Sequence, residues 1–457
     1  MQRRRRHVRH GHGLPRALTV VPRLRPDLFY TRKGDRHLFL NPGIPDWLVV
    51  NGNGAYVLGR CTGEHSAADI AAHVVDLGGD AAEAEALLAR ALEHGLLDRP
   101  GAAPPPPEDL PPEEPAWDDC RCAVTRRGVS IVHVALTNRC NLRCLSCYAG
   151  SGRSAGILSL TELADLARQV EAASAPAGVE WVLSGGEPLL HPACQEFAAH
   201  LRVKGHSVSL LTNGVLVTPD NAQTLATGFD LIKVSLDGAR EETHARTRGT
   251  GNFAAVVRSI DLLLAAGANV RVASVVHREN RGDLAELVAR YGERLTFQPF
   301  FPAGRGAVEA DLALTGEEYY AALFETPGVR PLGEIDRVLA MARGRGIRHC
   351  AAGGGEISVD EAGDVYPCQM FHQPQYKAGN IRRQPLAEIL ASPVLRRLAA
   401  CEVEALEGCA ACPVRLICGG ACRARAFHET GRDDAAGPFC AYERLVYVNG
   451  LIDTAIL

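Results

Sequence analysis

The chain of 457 residues has no long apolar run and very little lysine. Its longest apolar stretches, such as Leu262–Ala266, fall far short of the ~20 residues that a membrane-spanning helix needs. Lysine occurs only at Lys33, Lys204, Lys233 and Lys377, so almost all positive charge is arginine. Together with the abundant alanine, this indicates the codon bias of a GC-rich genome rather than a function.

The chain also lacks net positive charge and an export signal. With 49 Lys and Arg against 53 Asp and Glu the net charge is −4, so no global basic field is available to hold the phosphates of nucleic acid. Arg3–Arg6 is followed by Gly11, Gly13 and Pro15 where a twin-arginine signal needs an apolar stretch. We therefore expect a cytoplasmic protein with no nucleic-acid partner and no membrane partner.

Cysteine, in contrast, is plentiful, with fifteen residues. In a long chain without an export signal, this number favours metal or redox chemistry over disulfides. The count is odd, so the cysteines cannot all pair with one another.

Composition divides the chain into five segments. Residues 1–16 predict a disordered basic arm, and residues 17–98 predict a compact unit in which strands precede three helices. Residues 99–125 form an acidic, proline-rich linker that cannot form a helix or a central strand. Residues 126–330 alternate strands with helices, and residues 331–457 are dense in cysteine. We find no long internal repeat.

The elements of the 17–98 unit follow from short apolar runs and helical periodicity. The expected strands and helices are, in order, Leu18–Val21, Leu28–Thr31, Leu38–Leu40, Asn51–Cys61, Ala67–Leu77 and Ala81–Leu97.

Residues 126–330 predict an α/β fold in which six parallel strands curl into a barrel or part-barrel. The expected strands are Ile131–Thr137, Val179–Ser184, Ser207–Thr212, Leu231–Leu236, Val270–Val276 and Leu295–Phe300. The helices between them include Thr161–Ala172, Phe253–Ala266 and Asp283–Tyr291. Ligands of such a sheet lie at the carboxyl ends of its strands.

A three-cysteine loop follows the first of these strands. Cys140, Cys144 and Cys147 read C-N-L-R-C-L-S-C. Three thiolates can hold three irons of a 4Fe–4S cluster and leave the fourth iron open. A zinc half-site, or cysteines that are merely buried, are the alternatives that this spacing leaves open.

The next three strands end in turns that face the same rim. They are Ser184-Gly185-Gly186-Glu187-Pro188, Leu211-Thr212-Asn213-Gly214 and Ser235-Leu236-Asp237-Gly238. Together with the cysteine loop, these turns resemble the radical S-adenosylmethionine (SAM) superfamily. The resemblance implies that the open iron chelates the amino and carboxylate groups of SAM. One electron then cleaves SAM to a 5′-deoxyadenosyl radical, which removes hydrogen from an unactivated carbon.

The same resemblance implies which residues contact SAM. They are Tyr148, Gly185, Gly186, Glu187, Pro188, Thr212, Asn213, Ser235 and Arg248. The glycine-rich turn meets the amino group, and Ser235 meets the ribose and carboxylate. Of two arginines beyond this serine, we favour Arg248 over Arg246 for a two-point fork on the carboxylate. Many relatives have an aromatic residue just before the third cysteine, where this chain has Ser146.

The cysteine-rich tail resembles the SPASM extension of radical SAM peptide-modifying enzymes, including the G-x4-C of Gly363 and Cys368. The resemblance implies two auxiliary 4Fe–4S clusters, hence three clusters in all. It assigns Cys409, Cys412, Cys418 and Cys440 to an outer cluster, and Cys350, Cys368 and Cys422 to an inner one. Zinc bound by Cys409, Cys412, Cys418 and Cys422 is the alternative.

The inner set is one cysteine short of the fully ligated relatives, because none lies between Cys350 and Cys368. We expect an open iron there, or a fourth ligand from elsewhere in the chain. Five cysteines remain, which we expect to be structural or free thiols: Cys61, Cys120, Cys122, Cys194 and Cys401. The C-x-C of Cys120 and Cys122 is an available source of ligands.

The 17–98 unit resembles the small, winged-helix-like peptide chaperone of pyrroloquinoline quinone biosynthesis, notably over L-V-V-N-G-N-G-A-Y-V-L-G-R-C-T-G-E-H-S. The resemblance implies a domain that binds the leader of a ribosomally made precursor peptide by adding it as a strand to a sheet edge. A DNA-binding winged helix is the alternative. The last two helices argue against it, since they carry Asp69, Asp76, Asp80, Glu83 and Glu85 and few basic residues.

These observations predict a radical SAM/SPASM peptide maturase with a fused leader-recognition domain. Its expected partners are a precursor peptide with its leader and a flavodoxin or ferredoxin reductant, and its product is a thioether or carbon–carbon cross-link. A sulfatase maturase that forms formylglycine is an alternative, although Gln369 follows Cys368 where those relatives place a carboxylate base. A non-catalytic peptide-binding or electron-transfer scaffold is another, which the intact cysteine loop and Gly185–Pro188 disfavour.

Overall fold

The structure, a computed structural model, describes residues 21–98, 129–152, 156–174, 178–329 and 335–454. The predicted arm and linker, Cys120, Cys122 and most of Leu18–Val21 lie outside these ranges. The described residues fall into two compact units. Of the described residues, the first unit takes 21–98, Arg343–Arg345 and 448–454, and the second takes those from 129 to 342 and from 346 to 447.

The first unit is an antiparallel sheet followed by three helices. Its strands are β1 (Phe29–Lys33), β2 (Arg36–Asn41) and β3 (Asp46–Val50), in the spatial order β1-β2-β3. Its helices are α1 (Gly52–Gly59), α2 (Ala67–Asp76) and α3 (Ala81–Glu93). The predicted order of strands and then helices is confirmed. The strand β3 was not predicted, and Val21, the described end of the first predicted strand, lies outside any strand.

Local signals account for the ends of these helices. Ser66 and Asp69 form a reciprocal capping box at the start of α2, and the Asp80 side chain caps α3. Helix α3 ends four residues earlier than predicted, because Gly95 takes a left-handed conformation with φ +64°. Leu48 and Leu88 are fully buried between the sheet and the helices.

The second unit contains a nine-stranded sheet. Its strands are β4 (Ile131–Thr137), β5 (Glu180–Gly185), β6 (Ser207–Thr212), β7 (Leu231–Ser235), β8 (Val270–Val276), β9 (Leu295–Pro299), β10 (Glu356–Val359), β11 (Asp364–Tyr366) and β12 (Gly379–Asn380). The spatial order is β12-β11-β10-β4-β5-β6-β7-β8-β9. Strands β4 to β9 are all parallel, β10 joins β4 in parallel, and β11 and β12 run antiparallel.

The helices of the second unit lie between and after these strands. They are α4 (Leu160–Ala173), α5 (Cys194–Val203), α6 (Pro219–Gly228), α7 (Glu241–Arg248), α8 (Phe253–Ala265), α9 (Leu284–Tyr291), α10 (Gly316–Glu325), α11 (Ile335–Ala342), α12 (Leu386–Leu390), α13 (Pro393–Ala399), α14 (Arg415–Cys418), α15 (Arg423–Thr430) and α16 (Cys440–Ile452), the last of which runs into the first unit.

The six strands β4 to β9 confirm the predicted part-barrel. Strand β4 pairs with β10 on one side and with β5 on the other, so β4 and β9 do not close a ring. The barrel core is apolar, with Trp181 and Phe197 fully buried in edge-to-face contact at 5.7 Å between ring centres. This arrangement brings the carboxyl ends of β4 to β8 to one rim, where the functional side chains lie.

Candidate active site and metal centres

The three-cysteine loop leaves the carboxyl end of β4 and is held from a distant part of the chain. The Arg305 guanidinium donates to the carbonyl oxygens of Cys144 at 2.8 Å and Ser151 at 2.5 Å. The backbone N–H of Arg305 donates to the Cys147 carbonyl at 3.0 Å. Arg305 thus fixes the path of the loop. Sequence reasoning missed it, because no local pattern links residues so far apart.

A cavity of about 630 Å³ opens at this rim. All three thiols of the loop line it, and so do seven of the nine residues predicted to contact SAM: Tyr148, Gly185, Gly186, Thr212, Asn213, Ser235 and Arg248. Glu187 and Pro188 are not among the lining residues. The structure therefore collects most of the predicted SAM residues around one space next to the cysteine loop.

The two glycines let the turn after β5 approach the cysteine loop closely. Gly185 has φ +131°, and a Cβ at Gly186 would overlap the backbone of Arg139. The N–H groups of Gly186 and Glu187 donate to the carbonyls of Thr137 and Arg139 at 2.7 and 2.9 Å. The turn is thereby pinned against the start of the cysteine loop, and only glycine fits there.

Glu187 lies behind this wall rather than on it. Its side chain is fully buried, and its carboxylate accepts from the Thr212 hydroxyl and the Asn213 N–H, both at 2.8 Å. Burial raises the pKa of Glu187 to about 7, although these hydrogen bonds oppose the shift. Glu187 ties the glycine turn to the end of β6, so its observed role is to shape the site.

Arg248, at the end of α7, reaches the cavity through a fork on a buried carboxylate. Its Nε and Nη2 lie 2.6 and 3.1 Å from the two oxygens of Asp237, which is fully buried. Burial works against the charge on Arg248, but Asp237 and the nearby Cys144 outweigh it and raise the pKa of Arg248. Arg246 instead pairs with Glu279 and lies outside the cavity lining.

Two further polar contacts order the cavity wall. The Tyr148 hydroxyl donates to the Gln369 amide oxygen at 3.1 Å, which joins the cysteine loop to the tail. The Asn213 amide donates to Asn141 at 2.8 Å and lies 4.0 Å from the sulfur of Cys140. The tail thus contributes directly to the site at the rim.

The cavity is also lined by charged groups that sequence reasoning missed. The Arg425 guanidinium lies 4.9 Å from the ring centre of Phe301 and 4.8 Å from that of Phe439. Glu443 also lines the cavity; burial raises the pKa of its carboxylate, and its Oε2 has no hydrogen-bond partner among the described residues. Neither residue belongs to a recognisable motif, so the sequence offered no signal for them.

The four cysteines predicted for an outer cluster line one small cavity. The three residues that follow Cys418 all have a left-handed backbone conformation: Gly419, Gly420 and Ala421, with φ of 69°, 89° and 60°. This conformation directs the N–H groups of Gly420 and Ala421 to the sulfur of Cys418. Consecutive N–H groups that converge on one point stabilise a negative ligand, and therefore suit a thiolate bound to iron.

The three cysteines predicted for an inner cluster lie near one another. Cys350 and Cys368 pack in one apolar cluster with Ala352 and Phe371. The thiols of Cys350 and Cys422 also influence the pKa of Cys368 electrostatically, although burial is the larger cause of its rise. Cys422 lines the large cavity and accepts from the N–H of Arg425 at 3.4 Å.

The loop thiols line the large cavity and the outer-set thiols line the small one, whereas Cys422 is the member of the inner set among the residues that line these two cavities. Among the described residues, no group of three or more His, Cys, Asp or Glu side chains could hold a metal ion. A 4Fe–4S cluster makes a different demand, since each thiolate binds its own iron and the ligands surround a volume rather than a point. The cysteines that line the two cavities fit this requirement.

Of the remaining cysteines, three are described. Burial raises the pKa of Cys61 and of Cys194 to about 12, which keeps both as inert thiols. Cys401 is half-buried beside Leu406 and Cys409, with its sulfur 3.8 Å from the Arg423 guanidinium.

No helix in the described ranges is long and apolar enough to cross a membrane.

The fold is a parallel part-barrel with a three-cysteine loop at its rim and a cysteine-rich extension, and this combination defines a class of enzymes. Family models agree, with the radical SAM superfamily matching residues 134–290 and the SPASM iron–sulfur cluster-binding domain matching residues 350–413. The mycofactocin maturase MftC of Mycobacterium ulcerans is 30% identical over 335 residues, which cover 67% of this chain and 86% of that protein. The chain belongs to the radical SAM superfamily and carries a SPASM extension.

Two other similarities extend the comparison. The AdoMet-dependent heme synthase of Methanosarcina barkeri is 31% identical over 340 residues, 67% of this chain and 95% of that protein. The crystal structure of Streptococcus suis SuiB bound to the precursor peptide SuiA matches 92% of this chain and 99% of that one, with a TM-score of 0.54 and 12% identity. That likeness concerns the fold. Family membership implies SAM and a 4Fe–4S cluster, and the SPASM domain implies auxiliary iron–sulfur clusters.

Proposed function

We propose that this protein modifies a ribosomally made precursor peptide, forming a thioether or a carbon–carbon cross-link within it. Cys140, Cys144 and Cys147 hold the cluster that binds SAM, and two further 4Fe–4S clusters occupy the outer and inner cysteine sets. The similarity to a mycofactocin maturase supports a peptide substrate, and so does the likeness in fold to SuiB bound to its precursor peptide.

One observation carries this proposal. The three-cysteine loop and Cys422 of the inner set line the same cavity, as do Arg425 and Glu443. A substrate segment in this space lies between a hydrogen-abstracting centre and an auxiliary cluster. Such a position suits a reaction in which a hydrogen atom leaves the substrate and a second electron must then be removed.

When bound, SAM and its cluster supply abstraction of a hydrogen atom from an unactivated carbon. The chain's own residues bind SAM and orient it. Arg248, held by Asp237, presents a cation for the SAM carboxylate, and Ser235 lines the cavity near it. The pinned backbone of Gly185 and Gly186 shapes the wall against which SAM lies, and Tyr148 closes the side that faces Gln369.

The domain boundaries that we propose are 17–98 for leader recognition, 99–125 for the linker, 126–330 for the barrel and 331–457 for the SPASM extension. Strands β1 and β3 are the two edges of the three-stranded sheet, and the leader adds as a strand to one of these edges. In the helices, Asp69 and Asp80 are committed to caps. These carboxylates would oppose phosphate contact, so they disfavour the DNA-binding alternative.

Gln369 bears on the sulfatase-maturase alternative. Its amide oxygen accepts from Tyr148 on the cavity wall, and an amide is not a base. We therefore place peptide cross-linking ahead of formylglycine formation. A flavodoxin or ferredoxin as electron donor and a cytoplasmic location complete the proposal.

The test combines the anaerobically reconstituted protein, SAM, a chemical reductant and the peptide encoded by a short open reading frame beside its gene. We expect SAM cleavage that depends on Cys140, Cys144 and Cys147, and a peptide that has lost two hydrogens. Absence of SAM cleavage would contradict the enzymatic proposal. SAM cleavage with no change in the peptide, but with turnover of a porphyrin, would instead favour chemistry like that of the heme synthase relative.

A further inference from the structure

We propose that the surface beside the outer cysteine set is the docking site of an acidic one-electron carrier protein. This surface, which we call the outer face, consists of Arg415, Arg444 and Leu445. The inference rests on the proposed function, because it presupposes an iron–sulfur cluster at the outer set. It adds the place where the electron enters the protein and the charge that its donor must carry.

The small cavity of the outer set is lined by two cations and by no acid. Among the described residues that line it, Arg415 and Arg444 are the charged side chains other than the cysteines. The Arg415 guanidinium donates to the carbonyl of Cys412 at 3.2 Å, and its Nε has no hydrogen-bond partner in the described part of the chain. Neither arginine forms an ion pair with a described residue. Both therefore keep their charge available to a partner.

The acidic side chains close to this cavity in sequence are already paired or turned elsewhere. Arg432 holds the carboxylates of Glu407 and Asp434, the latter at 2.9 Å. Glu443 directly precedes Arg444 but lines the large cavity instead of the small one. The two arginines therefore set the charge of the outer face.

Helix α16 presents the exposed part of this face. Ala441, Arg444 and Leu445 are all exposed, Leu445 to 51%, and their spacing of three and four residues places them on one side of the helix. Cys440, the first residue of the same helix, lines the small cavity. Arginine is enriched and acidic residues are depleted in protein–protein interfaces. The helix thus carries a contact surface next to a cysteine of the outer set.

Charge complementarity favours an acidic partner for the outer face. Four thiolates give a 4Fe–4S cluster a net negative charge, so a surface without cations would repel an acidic carrier. Arg415 and Arg444 offset this charge at the point where the electron crosses. A guanidinium can also bind a carboxylate of the partner through two parallel hydrogen bonds, which orients the docked protein.

Entry of the electron here leaves the large cavity free for the substrate. The arginines that line the large cavity are already engaged: Arg248 by Asp237, Arg305 by carbonyl oxygens of the cysteine loop, and Arg425 by Glu429. In the transfer itself, one electron leaves the reduced carrier and reduces the outer cluster by one, and no bond of the chain forms or breaks. A flavodoxin hydroquinone that gives up this electron becomes the semiquinone.

The test uses a full-length background in which the three cysteines of the loop after β4 are replaced by Ala, so that only auxiliary clusters accept electrons. Into this background we place Arg444→Glu, Arg415→Gln or the matched control Arg168→Glu, whose exposed arginine lies on α4. Stopped-flow absorbance measures the rate of cluster reduction by flavodoxin hydroquinone and, separately, by the radical cation of methyl viologen. Iron content and midpoint potentials are measured for each chain.

We expect Arg444→Glu to slow reduction by flavodoxin about tenfold at low ionic strength, because charge steering accelerates association by factors of this order. Reduction by the viologen cation should not slow, since the same substitution attracts a cation. Added salt should slow the background chain with flavodoxin and change Arg444→Glu much less. Arg168→Glu should match the background. Because Arg444 is exposed, its variant keeps the test decisive if Arg415→Gln loses iron or folds poorly.

Equal rates with flavodoxin in Arg444→Glu and Arg168→Glu would overturn the docking site, and so would a background chain that flavodoxin does not reduce. Slower reduction by the viologen cation as well, with a changed midpoint potential, would overturn it by showing that Arg444 acts on the cluster itself. If Cys412→Ala in the same background retains all its iron, the outer set holds no cluster and the proposed function fails there too. Iron lost in Cys412→Ala, with flavodoxin rates indifferent to Arg444→Glu, contradicts the docking site alone.

Discussion

The guanidinium of Arg248 is fixed in a two-point fork on the buried carboxylate of Asp237, with N–O distances of 2.6 and 3.1 Å. Asp237 is itself held by the Thr247 hydroxyl and the Val275 N–H. The arginine is thereby oriented on the cavity wall before any ligand arrives. A positioned cation of this kind loses little entropy when it binds an anion.

Arg248→Ala should weaken SAM binding by about 1–3 kcal/mol, the cost of losing a charge-assisted contact. Arg246→Ala is the matched control and should change it much less, because Arg246 pairs with Glu279 outside the cavity. Calorimetric titration of SAM into each folded variant measures the difference. A larger loss in Arg246→Ala would show that the wrong arginine has been assigned.

Glu187 predicts a pH dependence of stability. Its folded pKa is about 7, raised by burial from 4.5, so the unfolded chain releases this proton at lower pH than the folded protein does. Stability from this group is present below pH 4.5 and is lost as the pH rises towards 7. Relative to Glu187→Gln, the wild type should therefore lose unfolding free energy across this window. A difference that does not change with pH would contradict the buried, proton-holding carboxylate.

Deletion of residues 1–98 should leave SAM cleavage without peptide intact and impair modification of the full-length precursor. The barrel has its own core, and the leader-binding edge would be gone. Because Val448–Leu457 belongs to the first unit, the melting temperature of the truncated chain is the necessary control. Equal modification of precursors with and without their leader by the intact protein would contradict leader recognition.

A precursor whose core contains Cys should perturb the EPR signal of the inner cluster, and its product should contain a thioether. The reason is the incomplete thiolate set at Cys350, Cys368 and Cys422. A Cys→Ser precursor is the control and should leave the signal unchanged. If the Cys-containing precursor leaves the EPR signal of the inner cluster unchanged, carbon–carbon bond formation becomes the better account.

The barrel strands could be predicted to within one residue at each end, because parallel strands buried on both faces are nearly continuous apolar runs. Three of them, Ile131–Thr137, Ser207–Thr212 and Val270–Val276, have the bounds expected. The strand Asp46–Val50 was missed. The addition of β10 to β12 to the barrel sheet was missed as well, because those strands have two to four residues and pair through contacts that no local pattern encodes.

The residues of the candidate site also fall into those that a local sequence pattern predicts and those that it does not. The cysteines and glycine turns could be found because metal ligation and close backbone approach demand particular residue types at short spacing. Asp237 and Arg305 could not be assigned their contacts, since each acts through a partner distant in sequence. The contact of Glu187 with SAM stays a prediction, and the hydrogen bonds of its carboxylate to Thr212 and Asn213 were not foreseen.

The central claim is that one three-cysteine loop binds the cluster that cleaves SAM, independently of the tail. Cys140→Ala, Cys144→Ala and Cys147→Ala should each abolish SAM cleavage and leave about two clusters' worth of iron. Cys194→Ala, at a buried cysteine outside every set, should retain both SAM cleavage and the full iron content. Iron content and SAM cleavage at wild-type levels in the loop variants would contradict the account.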